Sequence, residues 1–227
     1  MINYPGKELE NFESANVWRK YIYFCVKKYL KKNILEVGAG IGSFTLTYLQ
    51  QNKKITLTET DTNNFNIIKE RFKGRNISIY SSLTKDLNEV YETIMYMNVL
   101  EHIEKDKKEI EFAISKLQKN GYLIILVPAH NKLYSKFDKA IGHYRRYEID
   151  FFHNLKLTDV HIEKLCYLDC AGYFLYYINK IFFKEETYPS KYKIFIWDKI
   201  FTPFTILLDK LTGYKFGKNI LCVIKKN

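Results

Sequence analysis

The sequence predicts a doubly wound α/β domain whose strands form one seven-stranded mixed sheet. Three observations carry that reading. The run Ile34-Leu35-Glu36-Val37 leads straight into a turn with Gly38, Gly40 and Gly42. A second β-rich run, Ile55-Thr56-Leu57-Thr58, ends at Glu59, 21 residues after Gly38. Further strand-length apolar runs alternate with amphipathic stretches, the pattern of βαβ units and parallel pairing.

Each element follows from local chemistry. Asn16 to Leu30 places Val17, Tyr21, Phe24, Cys25 and the Lys28 stem at helical spacing, so it reads as a leading helix. The first strand, through Val37, is apolar on both faces, as in a buried parallel sheet. Glycines at the turn remove Cβ atoms where the chain bends and let a ligand approach the backbone. Ser43 to Gln50 reads as the helix after the turn, its free N–H groups aimed back at it. Phe65 to Phe72 is the second crossover helix, and Ile77 to Tyr80 the third strand. Thr93 to Met97 makes the fourth strand, and Lys105 to Leu117 an amphipathic helix with Ile110, Ala113, Ile114 and Leu117 on one face. Lys119-Asn120-Gly121 predicts a tight turn, followed by a fifth strand over Tyr122 to Pro128. Leu155 to Asp159 is expected to end a helix ahead of a sixth strand at Val160 to Tyr167. Lys218 to Lys225 completes the sheet.

The glycine corner suits a nucleotide-bearing ligand. Glu59 stands where a carboxylate accepts hydrogen bonds from both ribose hydroxyls, with Thr60 beside it and Asp61 as a weaker alternative. Glu36 precedes the first glycine by two residues and, by strand alternation, points the same way as Gly38. A carboxylate there would repel a pyrophosphate and attract an ammonium. S-adenosylmethionine has an ammonium and no phosphate, so Glu36 favours it over a dinucleotide. A dinucleotide site would also want Gly or Ala where Ser43 stands.

The succession resembles the class I S-adenosylmethionine-dependent methyltransferases. Glu36-Val-Gly-Ala-Gly-Ile-Gly42 looks like their first motif and Glu59 like the second. Asn98-Val-Leu-Glu-His-Ile103 looks like the motif after strand four, and Asn120-Gly-Tyr-Leu-Ile124 like the turn into strand five. The likeness covers about residues 15–172 and the last ten or so. It implies a Rossmann-like methyltransferase fold, an antiparallel last strand near the sheet edge, a leading helix over the cofactor, and adenine held near Ser82 and Leu83, where an ordinary loop is the competing reading. Asn98 joins the cofactor set by the same resemblance. Val127-Pro-Ala-His-Asn-Lys-Leu-Tyr134, Asp138 and Gly142-His-Tyr-Arg-Arg-Tyr147 are similar to a type 11/12-like bacterial subgroup often found beside or fused to sugar-transferring enzymes. That implies a small-molecule acceptor, possible classes being a sugar, a sugar-derived metabolite or a lipid-linked glycan.

Methyl transfer to a hydroxyl or ammonium needs a general base. His143 is the first candidate, in the loop after strand five at the carboxyl edge of the sheet, and its unperturbed pKa lies near neutrality. His102 and His130 are the others, while His153 and His161 read as surface residues. Arg145 and Arg146 are adjacent, so one could clamp an anionic acceptor while the other pairs with Asp138 or Glu148. Tyr144 and Tyr147 could wall the pocket. No metal is expected.

Domain organisation reads as a single unit: a lid helix over 1–32, a cofactor-binding core over 33–171, an insertion over 172–217 and the last strand over 218–227. The insertion is rich in aromatics, among them Tyr173, Phe174, Tyr176, Tyr177, Phe182, Phe183, Phe195, Trp197, Phe201 and Phe204. From 173 to 227 there are 10 lysines against 4 acidic residues. Such a segment could cap the acceptor pocket, form a homodimer face or lie on a membrane surface, the last being disfavoured; otherwise the protein is a monomer. The net charge of +11 brings no nucleic-acid signature with it. Four unpaired-looking cysteines and a polar start point to a reduced, cytoplasmic protein. Two rivals remain: an NAD-linked oxidoreductase or epimerase, which would need a Tyr-x-x-x-Lys pair that Tyr188-x-x-x-Tyr192 does not supply, and a non-catalytic scaffold.

Overall fold

A computed structural model describes residues 4–6, 8–49, 53–182 and 188–227. Seven strands form one sheet in the order β3-β2-β1-β4-β5-β7-β6. They are β1 (Asn33–Val37), β2 (Lys54–Thr58), β3 (Ile77–Tyr80), β4 (Tyr91–Met97), β5 (Leu117–Pro128), β6 (Val160–Leu168) and β7 (Asn219–Lys226). All pairings among β1 to β5 are parallel, and β7 runs antiparallel between β5 and β6. The order reverses direction at β1 and β4. That switch point lies beside the glycine turn, where such sheets open a crevice for ligands.

The helices are α1 (Leu9–Phe12), α2 (Asn16–Val26), α3 (Thr45–Tyr48), α4 (Thr62–Arg71), α5 (Asp106–Ser115), α6 (Lys136–Ala140), α7 (Ile149–His153), α8 (Cys170–Phe182), α9 (Lys191–Ile196) and α10 (Thr202–Leu211). They cover both faces of the sheet, and two apolar cores result. One gathers Leu35, Ile94, Ile110, Leu123 and Ile125, and the other Ile22, Ile34, Leu57, Met95 and Ile124. Alternate residues of β1, β4 and β5 thus feed opposite cores, which is why the central stretches of these strands are apolar on both faces.

Several expectations change. The helix after the glycine turn is a single turn, Thr45–Tyr48, and Gln50 lies outside the described residues. The buried face of α2 is Tyr21, Ile22, Cys25 and Val26, whereas Phe24 is 60% exposed. Lys119-Asn120-Gly121 does not separate helix from strand. β5 starts at Leu117 and absorbs those residues as an irregularity between the pairs Tyr91↔Leu117 and Thr93↔Tyr122, with Asn120 at φ 61°. Leu155 to Asp159 is loop, because α7 already stops at His153.

The insertion packs as helices against α2. Asp198 accepts from the N–H groups of Val17 (3.1 Å) and Trp18 (2.8 Å), capping the start of α2. Asp209 accepts from the Tyr21 hydroxyl at 2.7 Å. Phe204, Leu207 and Leu211 of α10 face solvent. Phe183 lies outside the described residues, and so does the side chain of Phe182. No helix among the described residues is long and apolar enough to cross a membrane.

Candidate active site at the carboxyl edge of the sheet

The glycine turn uses the left-handed conformation that glycine adopts at least cost. Gly38, Gly40 and Gly42 have φ of 63°, 55° and 77°. A Cβ on Gly38 would lie 2.8 Å from Val99 Cγ1, and one on Gly42 2.6 Å from Phe72 Cε2. The bare backbone therefore lets the turn close on the segment after β4 and on the end of α4.

Glu59 meets this turn directly. Its Oε2 accepts from Gly40 N–H at 2.7 Å and its Oε1 from Asp61 N–H at 2.9 Å. Burial raises its pKa, although those backbone donors pull the other way. Thr60 is half-buried next to it, and Asp61 caps α4 by accepting from Asn64 N–H at 2.9 Å. Ser82 Oγ is buried without a hydrogen-bond partner among the described residues, and Leu83 beside it is exposed. Asn98 is exposed at φ 57°. These residues follow the carboxyl ends of β1, β2, β3 and β4, so they line one edge of the sheet, where such folds open their ligand cleft.

Glu36 is 2% exposed. Its Oε2 accepts from Thr45 Oγ1 at 2.7 Å and from the Tyr48 hydroxyl. Burial pushes its pKa up to about 7 despite both bonds. The carboxylate is thus held from the short helix α3, and the sequence reading missed Thr45 and Tyr48 as its partners. Their spacing, i and i+3 just after the glycines, was the available signal.

Over this cleft lies the N-terminal segment rather than α2. Leu9 is 3.4 Å from where a Gly40 Cβ would stand, and Tyr4 N–H donates to Asp61 Oδ2 at 2.8 Å. The Tyr4 ring meets His102 edge-on at 5.4 Å. Within the 1–32 segment expected to form the lid, the residues nearest the glycine turn and Asp61 are thus Leu9 and Tyr4 rather than those of α2.

The loop after β5 is organised by Asp138. It is fully buried and takes both arms of Arg146, Nε to Oδ1 at 2.9 Å and Nη2 to Oδ2 at 3.0 Å. It also accepts from Ser135 Oγ at 2.8 Å and bonds His143 Nδ1 at 2.9 Å. Burial alone would raise its pKa, but the His143 bond and the Arg146 charge hold it well below the usual carboxylate range. The other His143 nitrogen, Nε2, stands 3.8 Å from Glu101 Oε1, and the His143 ring meets that of His102 at 4.6 Å. Burial, reinforced by His143, lowers the His102 pKa to about 3, and burial raises Glu101 to about 7.

This arrangement corrects several assignments. Neither arginine is free to clamp an acceptor: Arg146 is committed to Asp138, and Arg145 donates to Asp106 Oδ2 at 2.6 Å and Glu104 O at 2.9 Å. Asp138 is too buried to meet an acceptor. Tyr147 is a core residue, its hydroxyl donating to Asp106 Oδ2 at 2.9 Å, and so does not wall a pocket. His130 stacks on Tyr167 at 5.1 Å and bonds Gly217 O at 3.0 Å, away from the His143 cluster. Tyr144 is exposed and His143 and His102 stay together at the cleft. Sequence reasoning missed Glu101 and Asp106. Glu101 lay within a quoted motif, but nothing local marks an acid as buried.

None of the curated proteins compared matches the chain. Among solved structures, it is similar to coclaurine N-methyltransferase bound to N-methylheliamine and SAH, at 14% identity and TM-score 0.62, over 92% of this chain and 72% of that one. It is similar to N-methyltransferase NodS from Bradyrhizobium japonicum WM9 with S-adenosyl-L-homocysteine, at 12% identity and TM-score 0.59, covering 97% and 90%. The plantazolicin methyltransferase BpumL with SAH aligns at 12% identity and TM-score 0.58, over 96% and 84%. These likenesses establish a shared fold. Residues 13–160 match the sequence profile of the methyltransferase domain family. With about two thirds of its length covered by that match, the chain belongs to the methyltransferase domain family.

Proposed function

We propose that the protein moves a methyl group from S-adenosylmethionine to an oxygen or nitrogen of a small-molecule acceptor, of sugar or sugar-derived character. The observation that carries the cofactor half is the 2.7 Å bond from Gly40 N–H to Glu59. It holds a carboxylate beside the glycine turn with lone pairs left for a ribose diol. The cradle fits in other respects: Gly38, Gly40 and Gly42 hold the turn at positive φ, and Ser82 Oγ is an orphaned polar atom in the loop after β3. Gly38, Gly40, Gly42, Glu59, Thr60, Ser82, Leu83 and Asn98 would hold the cofactor, and Glu36 would face its ammonium.

When bound, the cofactor supplies a methyl group already activated as a sulfonium. What the chain contributes is placement and exclusion of water. Tyr4, Pro5 and Leu9 close over the cleft. Asp138, braced by Arg146 and Ser135, fixes the His143 ring. Any proton leaving the acceptor would do so toward the cluster of His143, His102 and Glu101, the polar groups at that end.

Membership of the methyltransferase domain family displaces the NAD-linked reading. A scaffold that binds the cofactor without turnover is the second reading, favoured only by the deep burial of the cluster. Incubating the protein with isotopically labelled methyl donor and a panel of sugars, sugar nucleotides and amines, read by mass spectrometry, separates the two. Labelled product that disappears with Glu59→Ala supports catalysis. Absence of label in every acceptor while the cofactor binds supports the scaffold.

A further inference from the structure

We propose that Glu101, His102 and His143 form a binding site for a divalent transition-metal ion, with Zn²⁺ as its best-suited occupant. Each residue offers one ligand atom, and these atoms lie within 4.8 Å of one another. Bonds of about 2.0–2.2 Å to a common ion would require ligand atoms roughly 3–3.5 Å apart. Side-chain rotations of about 1 Å close that gap.

Three observations point to an ion rather than to ordinary packing. Glu101 is 1% exposed, and neither of its carboxylate oxygens has a hydrogen-bond partner among the described residues. A buried carboxylate without partners is costly, and metal coordination is one of the few ways to satisfy it. His143 is oriented in the manner of a metal ligand. Its Nδ1 bonds the buried carboxylate of Asp138 at 2.9 Å, leaving Nε2 turned toward Glu101. A carboxylate on the far nitrogen fixes tautomer and ring direction in histidine metal sites. Finally, the two loops carrying the ligands are laced together. Tyr144 N–H donates to Glu101 O at 2.9 Å, and a Cβ added to Gly142, at φ 83°, would stand 3.9 Å from His102 Nδ1.

Two imidazoles and one carboxylate suit borderline ions such as Zn²⁺ or Co²⁺, and three protein ligands would leave a fourth position for water or an acceptor. The sequence concealed this set because its members are not spaced as a motif: His143 follows His102 by 41 residues. An ion here would sit at the acceptor end of the cleft, where it could bind an acceptor hydroxyl. The site does not depend on the methyl-transfer reading, since it is tested on the free protein.

The test is titration of the metal-stripped full chain with Zn²⁺ by calorimetry and with Co²⁺ by visible absorption. Wild type should bind one equivalent of Zn²⁺ and give Co²⁺ d–d bands without thiolate charge transfer. Glu101→Gln, which keeps shape while removing the charge, should weaken binding at least tenfold, as should His143→Gln. Asp138→Asn should weaken it by about 10–100-fold through lost orientation. Circular dichroism and S-adenosylhomocysteine binding establish that each variant is folded. Should Glu101→Gln bind Zn²⁺ as tightly as wild type, or should wild type bind none, the proposal fails. Intense thiolate bands would also overturn it, placing the ion on cysteine.

Discussion

Replacing Glu36 with Gln should flatten the dependence of stability on pH. The side chain is buried and its pKa stands at about 7 against an ordinary 4.5. Between those values the folded state keeps a proton that the unfolded chain has lost, so this group's contribution is fully present below about pH 4.5 and is lost as pH rises through 7. At about 1.4 kcal/mol per pH unit the loss is roughly 3 kcal/mol in all, of which about 2 kcal/mol falls between pH 5 and 7. Glutamine keeps an acceptor for Thr45 and Tyr48 but cannot ionise. Urea denaturation at pH 5, 6 and 7 measures the effect. With a slope of about 1–3 kcal/mol per molar, wild type should lose on the order of 1 M in midpoint relative to Glu36→Gln across that range. Glu101 and Glu59 shift in the same direction, so only the difference between the two proteins isolates Glu36. Parallel pH profiles for the two would refute the reasoning.

Other expectations follow from the same geometry. Cofactor binding near pH 7 should release up to about half a proton from wild type, since a group with a pKa of about 7 is half protonated there, and none from Glu36→Gln, if an ammonium sits beside that carboxylate; calorimetry in buffers of different ionisation enthalpy reads this. Gly38→Ala places a Cβ 2.8 Å from Val99 at φ 63°, and should cost about 1–2 kcal/mol of stability together with most cofactor affinity, measured by thermal melting and ligand titration. Arg146→Met strands the buried Asp138 carboxylate and should destabilise by about 3–5 kcal/mol, whereas an acceptor clamp would have raised KM with little change in melting temperature. His143→Gln should lower kcat by about 10²-fold or more while cofactor affinity holds; unchanged kcat would remove His143 from the chemistry.

How much of this was legible in the sequence depended on how local the determinant is. Strands buried on both faces announce themselves as apolar runs, so β1, β2, β4 and β5 were readable, as was the 21-residue step from Gly38 to Glu59. Element ends were less so. Asn120 and Gly121 carry turn chemistry, yet the chain uses them inside β5, because pairing with β4 continues on both sides. The loop after β5 was half readable: opposed side chains on an extended segment leave one of two adjacent arginines to pair within the protein, with Asp138 or Glu148 as the local choices, and Arg146 takes Asp138. That the other would find Asp106, 39 residues away, depends on how α5 packs, which no local pattern encodes. Glu101 was hidden for the same reason. A carboxylate beside a histidine reads as solvated until the fold buries it.

The central claim is that the glycine turn and Glu59 hold S-adenosylmethionine, and calorimetric titration with S-adenosylhomocysteine tests it most directly. One equivalent should bind, and at about 100 times Kd it should add roughly 2.7 kcal/mol to stability. Glu59→Ala should abolish that binding, and NAD should give no heat. Binding of NAD in place of S-adenosylhomocysteine, or full affinity retained by Glu59→Ala, would contradict the account.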